Sequence, residues 1–109
     1  MFKMIDRPEF THDVSVMIPV DTGHREEKLK TTFRALPDDE ADEFDLNTAE
    51  GTKNFLRNVI VQFADLADTE GKPVAYSPEA RDKLLKHAFI RLALVRAYFA
   101  ALTKERVGN

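Results

Sequence analysis

The stretch AFIRLALVRAYFAAL, residues 88–102, decides how the rest of the chain must be arranged. Leu92, Val95, Phe99 and Leu102 recur at steps of three and four, which places them on one face of an α-helix. Ile90, Leu94, Ala97 and Ala101 recur in the same way about a third of a turn round, with Tyr98 at their edge. A surface helix normally carries one apolar stripe, so a helix apolar on two sides needs cover on both. The first face is expected in the core. The second, Ile90, Leu94, Ala97, Tyr98 and Ala101, is either covered by the domain itself or offered to a partner. Those five are the candidate partner-binding residues.

Working back from this helix, Ser77-Pro78-Glu79 reads as a helix start, with serine as cap, proline at the first position and an acid in the first turn. Leu84 and Leu85 carry its apolar side to His87, where it either bends or runs on into residues 88–102. Gly71 and Pro73 force a turn and a short extended piece before it. Further upstream Asn47-Thr48-Ala49-Glu50 has the layout of a capping box with asparagine as cap. Phe55, Leu56, Val59, Phe63 and Leu66 fall on one side of the helix that it opens, so the spacing predicts a helix over 55–66. Pro37-Asp38-Asp39-Glu40 opens a shorter one, with acids where the helix dipole favours them.

The N-terminal third alternates instead. Val14, Val16 and Ile18 point one way, Asp13, Ser15 and Met17 the other; after Asp21-Thr22-Gly23, Leu29, Thr31, Phe33 and Ala35 share a face. Two such runs joined by a short glycine-containing loop read as a β-hairpin whose apolar face must lie on helices. The expected architecture is α+β, one domain over 1–109. It comprises an N-terminal arm at 1–10 anchored by Phe2, Ile5 and Phe10, a hairpin at 11–36, and a helical part at 38–109 of three or four helices with a turn at 67–77.

The 109 residues suffice for a single modest core. A composition 43% hydrophobic and 32% charged is that of a folded protein, and a net charge of -3 gives no global attraction for nucleic acid or anionic lipid. The charge is uneven: Asp38, Asp39, Glu40, Asp42, Glu43, Asp45 and Glu50 make an acidic middle, while the last third is basic. Complementarity within the chain or between neighbours is the plainest reading of that split. Without cysteine there is no disulfide, thiolate nucleophile or sulfur-held zinc. The first residues lack the apolar core of a signal peptide, and Arg91 and Arg96 interrupt the only long apolar run, so a protein that stays in the cytoplasm and off the membrane is expected.

The residues for chemistry are sparse. The carboxylates at 38–45 lie in a polar run without apolar walls to raise a pKa. His12, His24 and His87 have no metal-ligand spacing. Asp65, Asp68 and Glu70 ahead of Gly71 lack the alternating ligands of a calcium loop. Ser15 and Ser77 sit outside any nucleophile elbow, and no glycine-rich phosphate loop exists. No catalytic, cofactor-binding or metal-binding residue is assigned, and the expectation is a non-enzymatic protein without a cofactor. Arg91 and Arg96 stand over a quarter-turn apart, which argues against a nucleic-acid-reading helix.

Several segments in order resemble the tail assembly chaperones of long-tailed bacteriophages. The opening FTHDVSVMIP (10–19), leading through Gly23 to LKTTFR (29–34), is similar to that family's hairpin. FLRNVIVQF (55–63) resembles its helix leading to an aromatic residue, with Phe63 where many members have tryptophan. The sharpest match is DTEGKPVAYSPE (68–79), like the family's Asp-x-x-Gly-x-Pro-Val-x-aromatic-Ser turn before its final helices, and Ala97-Tyr98 sits in a similar C-terminal element. The resemblance implies a phage or prophage protein, present in the host cytoplasm and absent from the mature virion. Such a protein binds the tape measure protein and keeps it soluble during tail morphogenesis, with possible tail tube contacts and self-association. It also implies a longer frameshifted form, and Val107-Gly108-Asn109 can be encoded by a slippery run. The rival expectations are a head–tail connector or tail terminator subunit, and, less well supported, a small nucleic-acid-binding regulator.

Overall fold

The computed structural model describes residues 1–103. The chain runs β1 (Glu9–Val20), β2 (Gly23–Arg34), α1 (Asp38–Ala41), α2 (Ala49–Val59), β3 (Ile60–Ala64), β4 (Leu66–Ala67), β5 (Pro73–Val74), α3 (Pro78–Leu85) and α4 (Ala88–Thr103). It is an α+β fold: an antiparallel sheet in the order β1-β2-β3 packed on helices, with β4 and β5 forming a separate two-stranded ribbon.

The hairpin follows the alternation in the sequence. Val14 pairs with Leu29, Val16 with Glu27 and Phe10 with Phe33, in unbroken register from Glu9↔Arg34 to Val20↔Gly23. Val14, Val16, Thr31 and Phe33 are buried while Asp13, Ser15 and Met17 face solvent. Gly23 closes the turn at φ 142, a conformation that side chains rarely adopt. Thr31, a buried polar residue of the core, satisfies its hydroxyl by donating to the Leu29 carbonyl at 3.0 Å.

The hairpin spans 9–34 rather than 11–36, so Phe10 belongs to β1 and not to the arm. It packs on Phe33 and Tyr98 with ring centroids 5.4 and 6.0 Å away. Phe2 and Ile5 anchor nothing, being 81% and 65% exposed. A 2.7 Å ion pair between Arg7 and Glu40 and a main-chain bond from Ala35 to Pro8 hold the end of the arm instead.

The helix expected over 55–66 ends at Val59. Ile60–Ala64 is β3, antiparallel to β2 with a register shift at Thr32/Phe33. The apolar positions Phe55, Leu56, Val59 and Phe63 are all buried, but they reach the core from two kinds of element. The β-branched pair Ile60-Val61 favours the extended form, and the inner edge of β2 offers it main-chain partners that a helix could not use. Asp65, at φ 57, then turns the chain out of the strand. The cap of α2 is Thr48 and not Asn47: its hydroxyl accepts from the Gly51 amide at 3.0 Å, while Asn47 donates its amide to Asp45. Ser77 caps α3 as expected, accepting from Ala80 at 3.0 Å, and the chain bends at Lys86-His87 before α4.

The core gathers Val14, Val16, Phe33, Phe55, Leu56, Val59, Ile60, Phe63, Leu85, Ile90, Leu94 and Tyr98. From α4 come Ile90, Leu94 and Tyr98, all members of the second face. The first face, expected in the core, is therefore largely exposed, and the second, which the sequence left open between core and partner, is the side the domain buries. Leu92 is 50%, Phe99 38% and Leu102 43% exposed, and Val95 is half-buried.

A candidate partner-binding surface on α4

Hydropathy alone gives the two faces of α4 nearly equal claims on the core; what separates them is fit. Ala93, Ala97 and Ala101 flank the buried line of Ile90, Leu94 and Tyr98, and their small side chains let α4 lie close against β1. Tyr98 brings a hydroxyl that must be satisfied when buried. It accepts from the Leu36 amide at 3.0 Å, tying α4 to the segment after the hairpin. Its ring meets Phe33 and Phe55 edge-on at 5.7 and 5.2 Å. These are the signals in the sequence, small residues beside a tyrosine at helical spacing, that mark the core side.

Of the five candidate partner-binding residues, Ile90, Leu94 and Tyr98 are thus buried, and Ala97 and Ala101 are half-buried among them. Ile90, Leu94 and Tyr98 cannot meet a partner without the domain opening, whereas Ala97 borders the open depression between α4 and β1. The surface that remains is the opposite face. Leu92, Val95, Phe99 and Leu102 make an apolar strip along α4, steadied where Phe99 stacks on Phe55 at 5.8 Å and 3°. A shallow depression beside Val95, Phe99 and Thr103 has a volume of about 450 Å³. Exposed apolar residues in a continuous strip mark an interaction site more strongly than scattered ones.

A second depression of about 460 Å³ lies on the other flank of the strip, where Leu92, Ala93, Arg96 and Ala100 face Ser15 and Met17 of β1 and His24 of β2. Met17 is 49% exposed there. α4 carries no acidic residue: Arg91 donates to the Leu85 carbonyl at 2.8 Å, and Arg96 enters no ion pair among the described residues.

Asp68, Ser15, Glu40 and Asp82 make contacts within the fold. The Asp68 carboxylate accepts from the Glu70 and Lys72 amides at 2.9 Å each, closing the turn between β4 and β5. Ser15 donates to Glu26, and that hydrogen bond, with another from Lys28, holds the Glu26 carboxyl below its ordinary range. Arg7 does the same for Glu40. Asp82 sits between Arg81 and Arg57 at 3.0 and 3.2 Å; the Arg81 hydrogen bond is the main cause of its lowered pKa, which partial burial opposes and Arg57 reinforces. No group of three or more His, Cys, Asp or Glu among the described residues is placed to hold a metal ion, and no helix among them is long and apolar enough to cross a membrane. Val107, Gly108 and Asn109, on which the slippery-run expectation rests, lie outside the described residues.

Compared with protein-family models, curated proteins and solved structures, the chain matches none.

Proposed function

We propose that the chain is a non-enzymatic tail assembly chaperone of a long-tailed phage or prophage, acting in the host cytoplasm to keep the tape measure protein soluble before the tube forms around it. The observation that carries the reading is the solvent-facing strip of Leu92, Val95, Phe99 and Leu102 on a helix whose other side is already core. A long helical client with apolar stripes is shielded by laying such a stripe against an apolar helix face, with anchors at three- and four-residue steps. The ordered resemblance over residues 10–98 supplies the client's identity, and the strip supplies a surface of the right shape and chemistry. The tail tube protein is a further partner on the same resemblance.

The test is co-expression with the tape measure protein encoded immediately downstream. The wild-type chain should carry the tape measure into the soluble fraction. Leu102→Glu, at a position already 43% exposed, should leave the chaperone folded by circular dichroism while the client precipitates. A tape measure equally insoluble with and without the wild-type chain would overturn the proposal. A head–tail connector or terminator subunit, the competing assignment, would instead persist in purified virions in multiple copies by mass spectrometry.

A further inference from the structure

Two groups of large apolar side chains are left in water among the described residues. One is the strip on α4, with Leu92, Phe99 and Leu102; the other is the arm before β1, where Phe2 is 81%, Met4 93% and Ile5 65% exposed. Clustered apolar side chains in water mark surfaces that meet something. The arm is tethered beside the strip. The Pro8 carbonyl accepts from the Ala35 amide at 2.9 Å, and the next amide, that of Leu36, donates to the Tyr98 hydroxyl at 3.0 Å, so the base of the arm lies by the C-terminal half of α4.

Arg7 directs the arm toward the strip. Its partner Glu40 is 2.7 Å away. Four residues further on, the Phe44 ring is 5.9 Å from Phe55, which in turn stacks on Phe99 at 5.8 Å. A row of aromatic rings thus leads from the anchor of the arm to α4. From Pro8 back to Phe2, six residues of extended chain span about 20 Å. From Tyr98 on to Leu102 is little more than one helical turn, about 6 Å. The arm is long enough to reach. Charge points the same way, since the arm carries Lys3 and Arg7 against Asp6. Of the acidic residues between Asp38 and Glu50, Glu40 alone enters an ion pair among the described residues, and its cation is Arg7. Asp42 and Glu43, exposed beside Phe44, remain for Lys3.

We infer that residues 2–6 are a strap, open in this structure, that folds back over the C-terminal half of the strip and sets Phe2 and Met4 on Phe99 and Leu102. In an extended strap Phe2 and Met4 share one side and Lys3 takes the other, toward Asp42 and Glu43. The depression of about 450 Å³ beside Val95, Phe99 and Thr103 receives the Phe2 ring, and the flexible Met4 side chain follows the irregular surface next to it. The Arg7–Glu40 pair and the Pro8–Ala35 bond are kept in both forms and act as the hinge. So short a tether holds the strap at an effective concentration on the order of millimolar, which favours its own α4 over that of another chain in dilute solution. The contact itself is independent of the proposed function. Only its consequence, that a client must displace the strap, rests on that reading, and the test uses no client.

The chain has no cysteine, so a pair of introduced thiols reports the closed form directly. In Lys3→Cys with Thr103→Cys, mild oxidation of dilute protein should give a disulfide within one chain, seen by intact mass and by monomer mobility on a non-reducing gel. Thr22 at the hairpin tip is about 40 Å along β1 from the base of the arm, beyond its reach. The pair at 3 and 103 should therefore close roughly tenfold or more faster than Lys3→Cys with Thr22→Cys. Adding Phe2→Ser and Met4→Ser to the first pair should slow closure by about tenfold, because a strap without its apolar anchors gains nothing on the strip. Separately, deleting residues 2–5 from the otherwise unaltered chain should raise the fluorescence of the apolar dye ANS with circular dichroism unchanged, since the strip is uncovered; removing an arm that stays open would take away apolar surface and lower it. Equal rates for the two thiol pairs, closure indifferent to Phe2 and Met4, a disulfide formed only between chains, or dye binding that falls or stays level on deletion would each overturn the inference.

Discussion

Replacing Leu94 and Leu92 separately by alanine measures which side of α4 the fold rests on. The two leucines are two residues apart on the same helix, so helix propensity changes equally in both variants. They differ in environment: Leu94 is fully enclosed and Leu92 is 50% exposed. Leucine to alanine removes three carbon groups worth about 0.8 kcal/mol each when buried, roughly 2.4 kcal/mol before any cavity is counted. At Leu94 the void is walled by the hairpin and α2, so the loss should reach about 3–4 kcal/mol, inside the range of about 2–5 for such truncations. At Leu92 half the side chain is already in water and no cavity is left, so about 1 kcal/mol or less is expected. With a urea slope of about 1–3 kcal/mol per molar, that difference separates the two midpoints by roughly 1–2 M. The unfolding curves should be taken at a protein concentration low enough to keep the chain monomeric, since self-association would add cover to Leu92. Equal losses, or the larger loss at Leu92, would refute the assignment of Ile90, Leu94 and Tyr98 to the core.

Two further outcomes follow from single positions. In an ordinary exposed helix Gly→Ala is stabilising by about 1 kcal/mol, but a Cβ at Gly51 would sit 2.0 Å from the Asp45 carbonyl oxygen, so Gly51→Ala should destabilise by about 1–3 kcal/mol in urea unfolding. Asp82 has a carboxyl pKa below its ordinary 3.8, so its contribution is complete above that value and is lost as pH falls through the lowered folded value. Asp82→Asn should flatten the stability profile on that acid limb alone. The loss near neutral pH should be only about 0.5–1 kcal/mol, since the pair is solvent-screened.

Most of the fold was legible because period and punctuation agreed. In β1 and β2 the alternation of Val14, Val16, Thr31 and Phe33 named the buried face, and Gly23 named the turn. Ser77-Pro78 placed the start of α3. Where the reading failed, two structures shared one pattern. Phe55, Leu56, Val59 and Phe63 suit a helical stripe, yet Phe63 is buried from a strand, because the open edge of β2 competes for Ile60–Ala64 with hydrogen bonds that helix periodicity does not register. Thr48 displaced Asn47 as cap by one position, a shift within the usual uncertainty of helix ends. On α4 the error was one of choice. Bulk pointed to Leu92, Phe99 and Leu102 as core, whereas close packing on β1 selected the side with Ala93, Ala97 and the hydrogen-bonding Tyr98. Large apolar residues show that a face needs cover; they do not say whose.

The outward side of α4 divides into two flanks that meet at Leu92 and Arg96. One, through Val95, Phe99 and Leu102, turns toward α2, where Phe99 stacks on Phe55; the other, through Phe89, Arg96 and Ala100, turns toward β1. Their chemistry differs, although Arg96 and Ala100 border both. The first is mainly apolar, with Arg96 and Thr103 at its border, and would suit a client stripe of matching spacing without demanding one sequence. The second carries Arg96 and His24 beside Met17 and Leu92, so it is the more polar of the two. On the proposed function, a long helix with many apolar stripes is the kind of client that a permissive apolar flank of this sort would suit, since it needs cover at many places and a defined sequence at none.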